Sequence, residues 1–477
     1  MSRALSAVDA PPAVAGRTDA VDRVLEWVVL AVLVSTVIIY AFAPFLALSW
    51  AQRPFLGAFV EKTFIFNGIG NLGDPHWPAR DLIPDGSHLL AVDGQPVATS
   101  GALGAVLVQH QVGETVDVAY RTRAGEAGAA AVPLVAFPLT ELVRFFILPY
   151  FIGLIYLVIG AWVFRLRRGE AAGRAFALTC ALTAIAVGTL FDLYTTHAFT
   201  WAWTIAVPNI GAATFALAMV FPKTASFVLR RPIIRLIAFV PGLVLAVYAL
   251  LTLYVPGLDP YAYVLAWRLG YYGLGAGLAA LIGMMLYRWR ANPSPIVSAQ
   301  SRVIFFGTVF GFTPLLIWVI QALVFGLTPT FNVLFNLAPL LLFPAAVAYA
   351  ILRYRLLDAD IVVGQALVYA IIGVITLVGY SLIIAGLSLL AGTAVSATDP
   401  LAVGLIVFLL VASFNRLRDW LQRLINQTFF RGSRAYAQRL EQFGRALTEA
   451  PGLTAIARAL TAPLQDVIRP AHVHVFL

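Results

Sequence analysis

Residues 142–164 read Leu142-Val-Arg-Phe-Phe-Ile-Leu-Pro-Tyr-Phe-Ile-Gly-Leu-Ile-Tyr-Leu-Val-Ile-Gly-Ala-Trp-Val-Phe164, and Arg165-Leu-Arg167-Arg168 follows. The run carries one charge, Arg144, and is otherwise almost wholly apolar. Its length matches the roughly 20 residues a helix needs to cross about 30 Å of hydrocarbon. Comparable runs recur at 171–191, 201–221, 233–255, 262–287, 303–326 and 331–351, so residues 142–358 read as a block of seven membrane-spanning helices. Helix is required there because lipid offers no partner to an unpaired backbone group. Apolar runs at 24–48, 362–390 and 401–414 raise the expected total to ten.

Composition agrees, with 61% hydrophobic and 12% charged residues. The net charge of +9 would suggest nucleic acid as a partner of a soluble protein. Its placement points elsewhere. With a cytoplasmic N-terminus, the inner loops hold Arg165, Arg167, Arg168, Arg174, Lys223, Arg230, Arg231, Arg235, Arg288, Arg290, Arg302, Arg353 and Arg355. The outer loops 192–199, 256–261, 327–330 and 391–399 hold no Lys or Arg. This is the positive-inside pattern, and it predicts an inner-membrane, multi-pass protein with both termini cytoplasmic. Lipid, not nucleic acid, is the expected partner. The single cysteine, Cys180, cannot form an internal disulfide and reads as a small buried hydrophobe. Residues 1–23 read as a disordered cytoplasmic tail without a cleavage site, and 24–48 as an uncleaved anchor.

Between the first two spans the composition changes to that of a small soluble domain. Residues 88–97 (His-Leu-Leu-Ala-Val-Asp-Gly-Gln-Pro-Val) predict a strand, an Asp-Gly turn and a second strand. Residues 99–111 carry Leu103, Val106, Leu107 and His110 at helical spacing, capped by Thr99 or Ser100. Strands are expected at 114–121 and 131–137. This order, with its Val-Asp-Gly-Gln-Pro-Val core, resembles a bacterial PDZ domain over residues 64–138. The resemblance implies an extracytoplasmic α+β domain that binds a peptide end by strand addition beside Leu103, Leu107 and His110. The expected carboxylate loop, 68–79, departs from the family pattern, so packing or dimer contact is an equal alternative role.

Polar groups within the block mark candidate ligand residues, because burying them in lipid is costly. Arg268, expected roughly 10 Å deep and near Asp192, joins Asp192, Asn209, Trp267 and Tyr271 in an outer cavity for a small or lipidated ligand. The alternative is snorkelling and an interfacial aromatic belt. Gly273-Leu-Gly275-Ala-Gly277 predicts a close helix approach.

Past the last span, residues 415–447 predict a cytoplasmic exit helix with stripes Leu417, Leu421, Leu424 and Tyr436, Leu440, Phe443, Leu447, out of heptad phase across Gly432. Pairing with a second copy through this helix is expected. Residues 450–477 resemble the opening of a GAF domain. The whole layout resembles the sensory half of a bacterial membrane histidine kinase of the competence-pheromone-receptor type. It implies a sensor that relays a signal to an output domain beyond Leu477. No catalytic motif, cofactor motif or His-Glu-x-x-His occurs, so the chain itself is expected not to be an enzyme. The rival reading is a transporter or lipid-handling protein with an accessory PDZ domain.

Overall fold

The computed structural model of the chain describes residues 12–67, 77–231, 233–323 and 336–353. Seven helices among them are long and apolar enough to cross a membrane, namely Val21–Ala51, Leu139–Arg167, Ala171–Gly188, Thr200–Val220, Ile234–Tyr254, Tyr263–Ala291 and Pro295–Gln321. Their number and length mark a multi-pass membrane protein. They match the first seven expected spans. The eighth is described only in part, as a 3-10 turn at Ala338–Leu341 leading into a helix at Leu342–Arg353. The spans at 362–390 and 401–414, the exit helix and the GAF-like start lie outside the described residues, as do residues 1–11 and most of the expected carboxylate loop.

Helix α1 (Pro12–Ala51) begins well before the expected span, so residues 12–23 are helical rather than a disordered tail. Asp22 gives this extension a tertiary anchor, pairing with Arg174 and Arg235. Helix α2 (Pro78–Leu82) and the sheet domain follow. Strand β1 (His88–Val92) pairs with β2 (Gln95–Pro96) and β3 (Thr115–Arg121), and β3 pairs with β4 (Ala127–Pro133), all antiparallel, in the order β2-β1-β3-β4. The β1–β2 turn uses φ +48 at Asp93 and +71 at Gly94, the left-handed pair that an Asp-Gly hairpin favours. Helix α3 (Ser100–Leu107) is capped by Thr99, whose hydroxyl accepts from the Ala102 N–H at 3.1 Å. It stops earlier than the apolar spacing suggests. Strand β4 starts four positions before the expected 131 (at 127), because Gly125 at φ +92 tightens the preceding turn.

The domain core joins Leu89, Val92, Val116, Val118 and Val132 to Leu56, Ala58 and Val60. The core thus takes in residues ahead of Phe64. Bridges Phe55 to Val135 and Ile65 to His88 lay that segment along the sheet.

In the membrane block, α4 (Leu139–Arg167), α5 (Ala171–Gly188), α6 (Thr200–Val220), α7 (Ile234–Tyr254), α8 (Tyr263–Ala291), α9 (Pro295–Leu323) and α10 (Leu342–Arg353) follow in order. Helix α5 is the most enclosed, packed by α1, α4 and α6. Small residues set the spacing. A Cβ placed on Gly160 would lie 2.6 Å from the Cys180 Cβ, so the buried cysteine fills a notch in α4. Gly153 and Gly188 form a slot for Tyr40 of α1, whose hydroxyl donates to the Ala184 carbonyl at 2.8 Å. Helices α6 and α8 touch backbone to backbone. A Cβ on Gly277 would stand 2.2 Å from the Gly211 carbonyl oxygen, and one on Gly211 would stand 2.2 Å from that of Gly273.

Some of the basic residues close buried contacts. Arg288 is 5% exposed and donates to the carbonyls of Ala218 and Phe221, closing the C-terminal end of α6. Arg174 and Arg235 are likewise buried.

Candidate functional site

The sheet domain meets the helix ends along a seam, and a cavity lies in it. The cavity holds about 230 Å3. Its apolar wall comes from Leu46 and Trp50 at the end of α1, from Phe55 and Leu56, and from Leu103 and Leu107 of α3. Its polar wall comes from Arg53, Ser100, Tyr194, Thr195, Thr196 and His197. An apolar hollow with a few converging polar groups is the usual form of a ligand site, and this volume suits a small molecule or one end of a larger one.

His197 is the centre of the polar side. Its backbone sits at φ +57, and its ring is 5% exposed. Nε2 lies 2.9 Å from the Val60 carbonyl, which can only accept, so Nε2 carries the proton. Nδ1 is then bare and accepts from the Ser100 hydroxyl at 2.7 Å. Burial, with a smaller contribution from Lys62, lowers the His197 pKa to about 4, partly opposed by the Val60 bond. The ring is therefore neutral near pH 7. One histidine thus ties together α3, the 55–66 segment and the 194–199 loop. The Ser–His pair has the connectivity of a nucleophile and base. However, the second ring nitrogen faces a carbonyl rather than a carboxylate, and so low a pKa makes a weak base. The arrangement is better suited to fastening the seam than to covalent chemistry.

Asp192 shapes the loop that carries this histidine. Its carboxylate accepts from the Thr196 hydroxyl, from the Ala198 N–H at 3.0 Å and from the Phe199 N–H at 2.7 Å. Its backbone carbonyl accepts the His197 N–H at 2.9 Å. Burial raises its pKa, while these bonds and Lys62 act against that rise.

Beside the cavity, Glu61 is buried beneath the sheet domain and accepts from the Asn67 side-chain amide. Its Oε2 has no hydrogen-bond partner among the described residues. Burial pushes the carboxyl up to about 7, the Asn67 bond acting in the other direction. Tyr194 and Tyr271 are close enough to feel its charge. The Trp203 ring lies tilted against Trp267 at 4.6 Å and edge-on to Tyr271 at 6.2 Å, and its indole donates to the Ala186 carbonyl at 3.1 Å.

The expected site residues therefore separate. Leu103 and Leu107 line the cavity, whereas His110, beyond the end of the helix, pairs with Asp93 at 3.0 Å and Glu114 at 3.1 Å. Trp267 and Tyr271 join the aromatic group next to Glu61. Asn209 instead donates back to the Ile205 carbonyl at 2.7 Å and packs against Gly242 of α7, away from the cavity. Arg268 does not meet Asp192. It is exposed on α8, and the partners of Asp192 all come from its own loop. A helix turns by 100° per residue, so Arg268 points away from its neighbour Trp267.

No protein-family model, curated protein or solved structure matches the chain. The geometry stands alone. Ser100, Glu61 and His197 escaped the sequence reading because Ser100 and His197 lie 97 positions apart. The one available signal was a histidine in a short, cation-free loop and a lone Glu-Lys pair inside the apolar stretch 55–66.

Proposed function

We propose that this chain is the sensory module of a membrane signal-transduction protein and that the seam cavity is its ligand site. The observation behind this reading is that the cavity has walls from both parts of the chain. Anything filling it touches α3 of the sheet domain and the ends of α1 and α5–α6 together. A ligand that prefers one arrangement of the seam biases the other part as well. In this reading the chain has ten spans in the inner membrane, with a PDZ-like domain outside and both termini in the cytoplasm. The cavity takes a small, mainly apolar ligand such as the end of a lipidated molecule or peptide. The signal leaves through the 415–447 helix of a homodimer towards an output domain.

The relay is tested with cysteines at Leu421 or Leu440 in native membranes. Leu103→Trp, which fills the cavity from α3, is expected to shift the ratio of crosslinks at the two positions by about threefold, the effect of under 1 kcal/mol on a two-state element. Crosslinking at both positions with an unchanged ratio contradicts the relay. No crosslink at either position contradicts the dimer.

A further inference from the structure

The seam cavity is unbalanced in charge. No Asp or Glu lines it, and His197 is neutral, so Arg53 carries its one formal charge. The ion pairs among the described residues do not include Arg53. Its guanidinium lies against α3, where a Cβ placed on Gly104 would stand 2.7 Å from Nη1. Ser100 and Gly101, at the start of that helix, also line the cavity, and a helix start adds partial positive charge. An anionic group on the ligand would supply the partner that these walls lack.

The rest of the wall is largely apolar. Leu46, Trp50 and Leu103 line it and are only half-buried, so apolar surface is left to be covered. Leu46, Ser49 and Trp50 fall in the last two turns of the first span, Val21–Ala51. The cavity therefore sits at the end of a spanning helix, the level at which a membrane-borne amphiphile holds its polar head. Ser49 and Arg53 are exposed, so the cavity opens on that side. Since a cavity of about 150 Å3 accepts benzene, one of about 230 Å3 holds roughly nine non-hydrogen atoms. A glycerophosphate head would fill that space alone, whereas a carboxylate leaves most of it to a chain.

We propose, on the reading that this cavity is the ligand site, that its ligand is a medium-chain fatty acid, with the carboxylate held by Arg53 and the chain lying over Leu46, Trp50 and Leu103. A peptide end shares the carboxylate but brings backbone amides to leucine and phenylalanine side chains that offer them no partner.

Protection of an introduced cysteine from a maleimide tests this on the full chain in lipid nanodiscs. Ser49→Cys places a thiol at the open side of the cavity, and the native Cys180 is buried. In this background octanoate is expected to protect at about fivefold lower concentration than 1-octanol, the scale of one exposed charge contact. Acetate, the head without the tail, should not protect at those concentrations. Arg53→Gln should remove the advantage of octanoate while leaving octanol as it was, which also shows that the cavity is intact. Leu103→Trp should abolish protection by both. Equal protection by octanoate and octanol, or an octanoate advantage that survives Arg53→Gln, overturns the fatty acid and leaves the cavity to a neutral ligand. Protection by acetate would show a site for small anions and would overturn the amphiphile. If neither octanoate nor octanol protects, or both still protect in Leu103→Trp, the cavity is not the ligand site and the proposal falls with that reading.

Discussion

Glu61→Gln is expected to stabilise the protein by about 3 kcal/mol at pH 7 and to leave it nearly unchanged at pH 4. The Glu61 pKa rises from 4.5 unfolded to about 7 folded, because the carboxylate is buried beneath the sheet domain. Between those values the folded state holds the proton more often than the unfolded one, so stability falls as pH rises from about 4.5 to 7. The shift corresponds to about 3 kcal/mol, which a neutral glutamine does not lose. His197 has the opposite sign. Its folded pKa of about 4 lies below the ordinary histidine value of 6.5, so stability falls as pH drops from 6.5 to 4. The slopes of these two groups offset one another between about pH 4.5 and 6.5. Each variant exposes the other group. Glu61→Gln should gain stability with rising pH across that window, and His197→Gln should lose it. The measurement is the unfolding midpoint in detergent across a pH series, and two flat variants would contradict the burial of both groups.

Gly277→Val is expected to cost about 3 kcal/mol or more, at the upper end of overpacking, because its Cβ would meet backbone rather than a side chain that can turn aside. The nearest atom is the Gly211 carbonyl oxygen at 2.2 Å, so α6 and α8 must separate along the crossing. That crossing carries Trp203 and Trp267 at its sheet-domain end and Arg288 with the Ala218 carbonyl at the other. Gly275→Ala is the control, since a Cβ there meets nothing within 4 Å. Alanine should be neutral or slightly stabilising by up to about 1 kcal/mol, since it lowers the entropy cost of the helix. Thermal midpoints of the two variants in one detergent decide the matter, and equal midpoints would contradict the crossing.

The spans were legible because a bilayer imposes length and apolarity on every helix that crosses it. The β1–β2 turn was legible because Asp93-Gly94 provides two positive φ angles in the fewest residues. The glycines of α8 announced a close approach, although not that Gly211 would be the partner. Charge was harder to read. Arg174, Arg235 and Arg288 look the same in sequence as the exposed Arg230 and Arg231, yet each closes a buried contact. What separates them is the arrangement of helices, which hydropathy does not encode. The seam was hidden for the same reason. Ser100, Val60 and His197 come from three distant segments, and only packing brings a hydroxyl, an imidazole and a carbonyl into line. Arg268 shows the converse error, since depth along a helix says nothing of which side it faces.

The central claim is that the sheet domain and the membrane helices are fastened as one unit through His197 at the seam. It is tested most directly by double electron–electron resonance in lipid nanodiscs, with spin labels at the exposed Gln109 and Tyr287. The unchanged chain should give one narrow distance distribution. His197→Ala, which removes the bonds to Ser100 and Val60 together, should add a second population at longer distance. The same single narrow distribution in both proteins would contradict the claim.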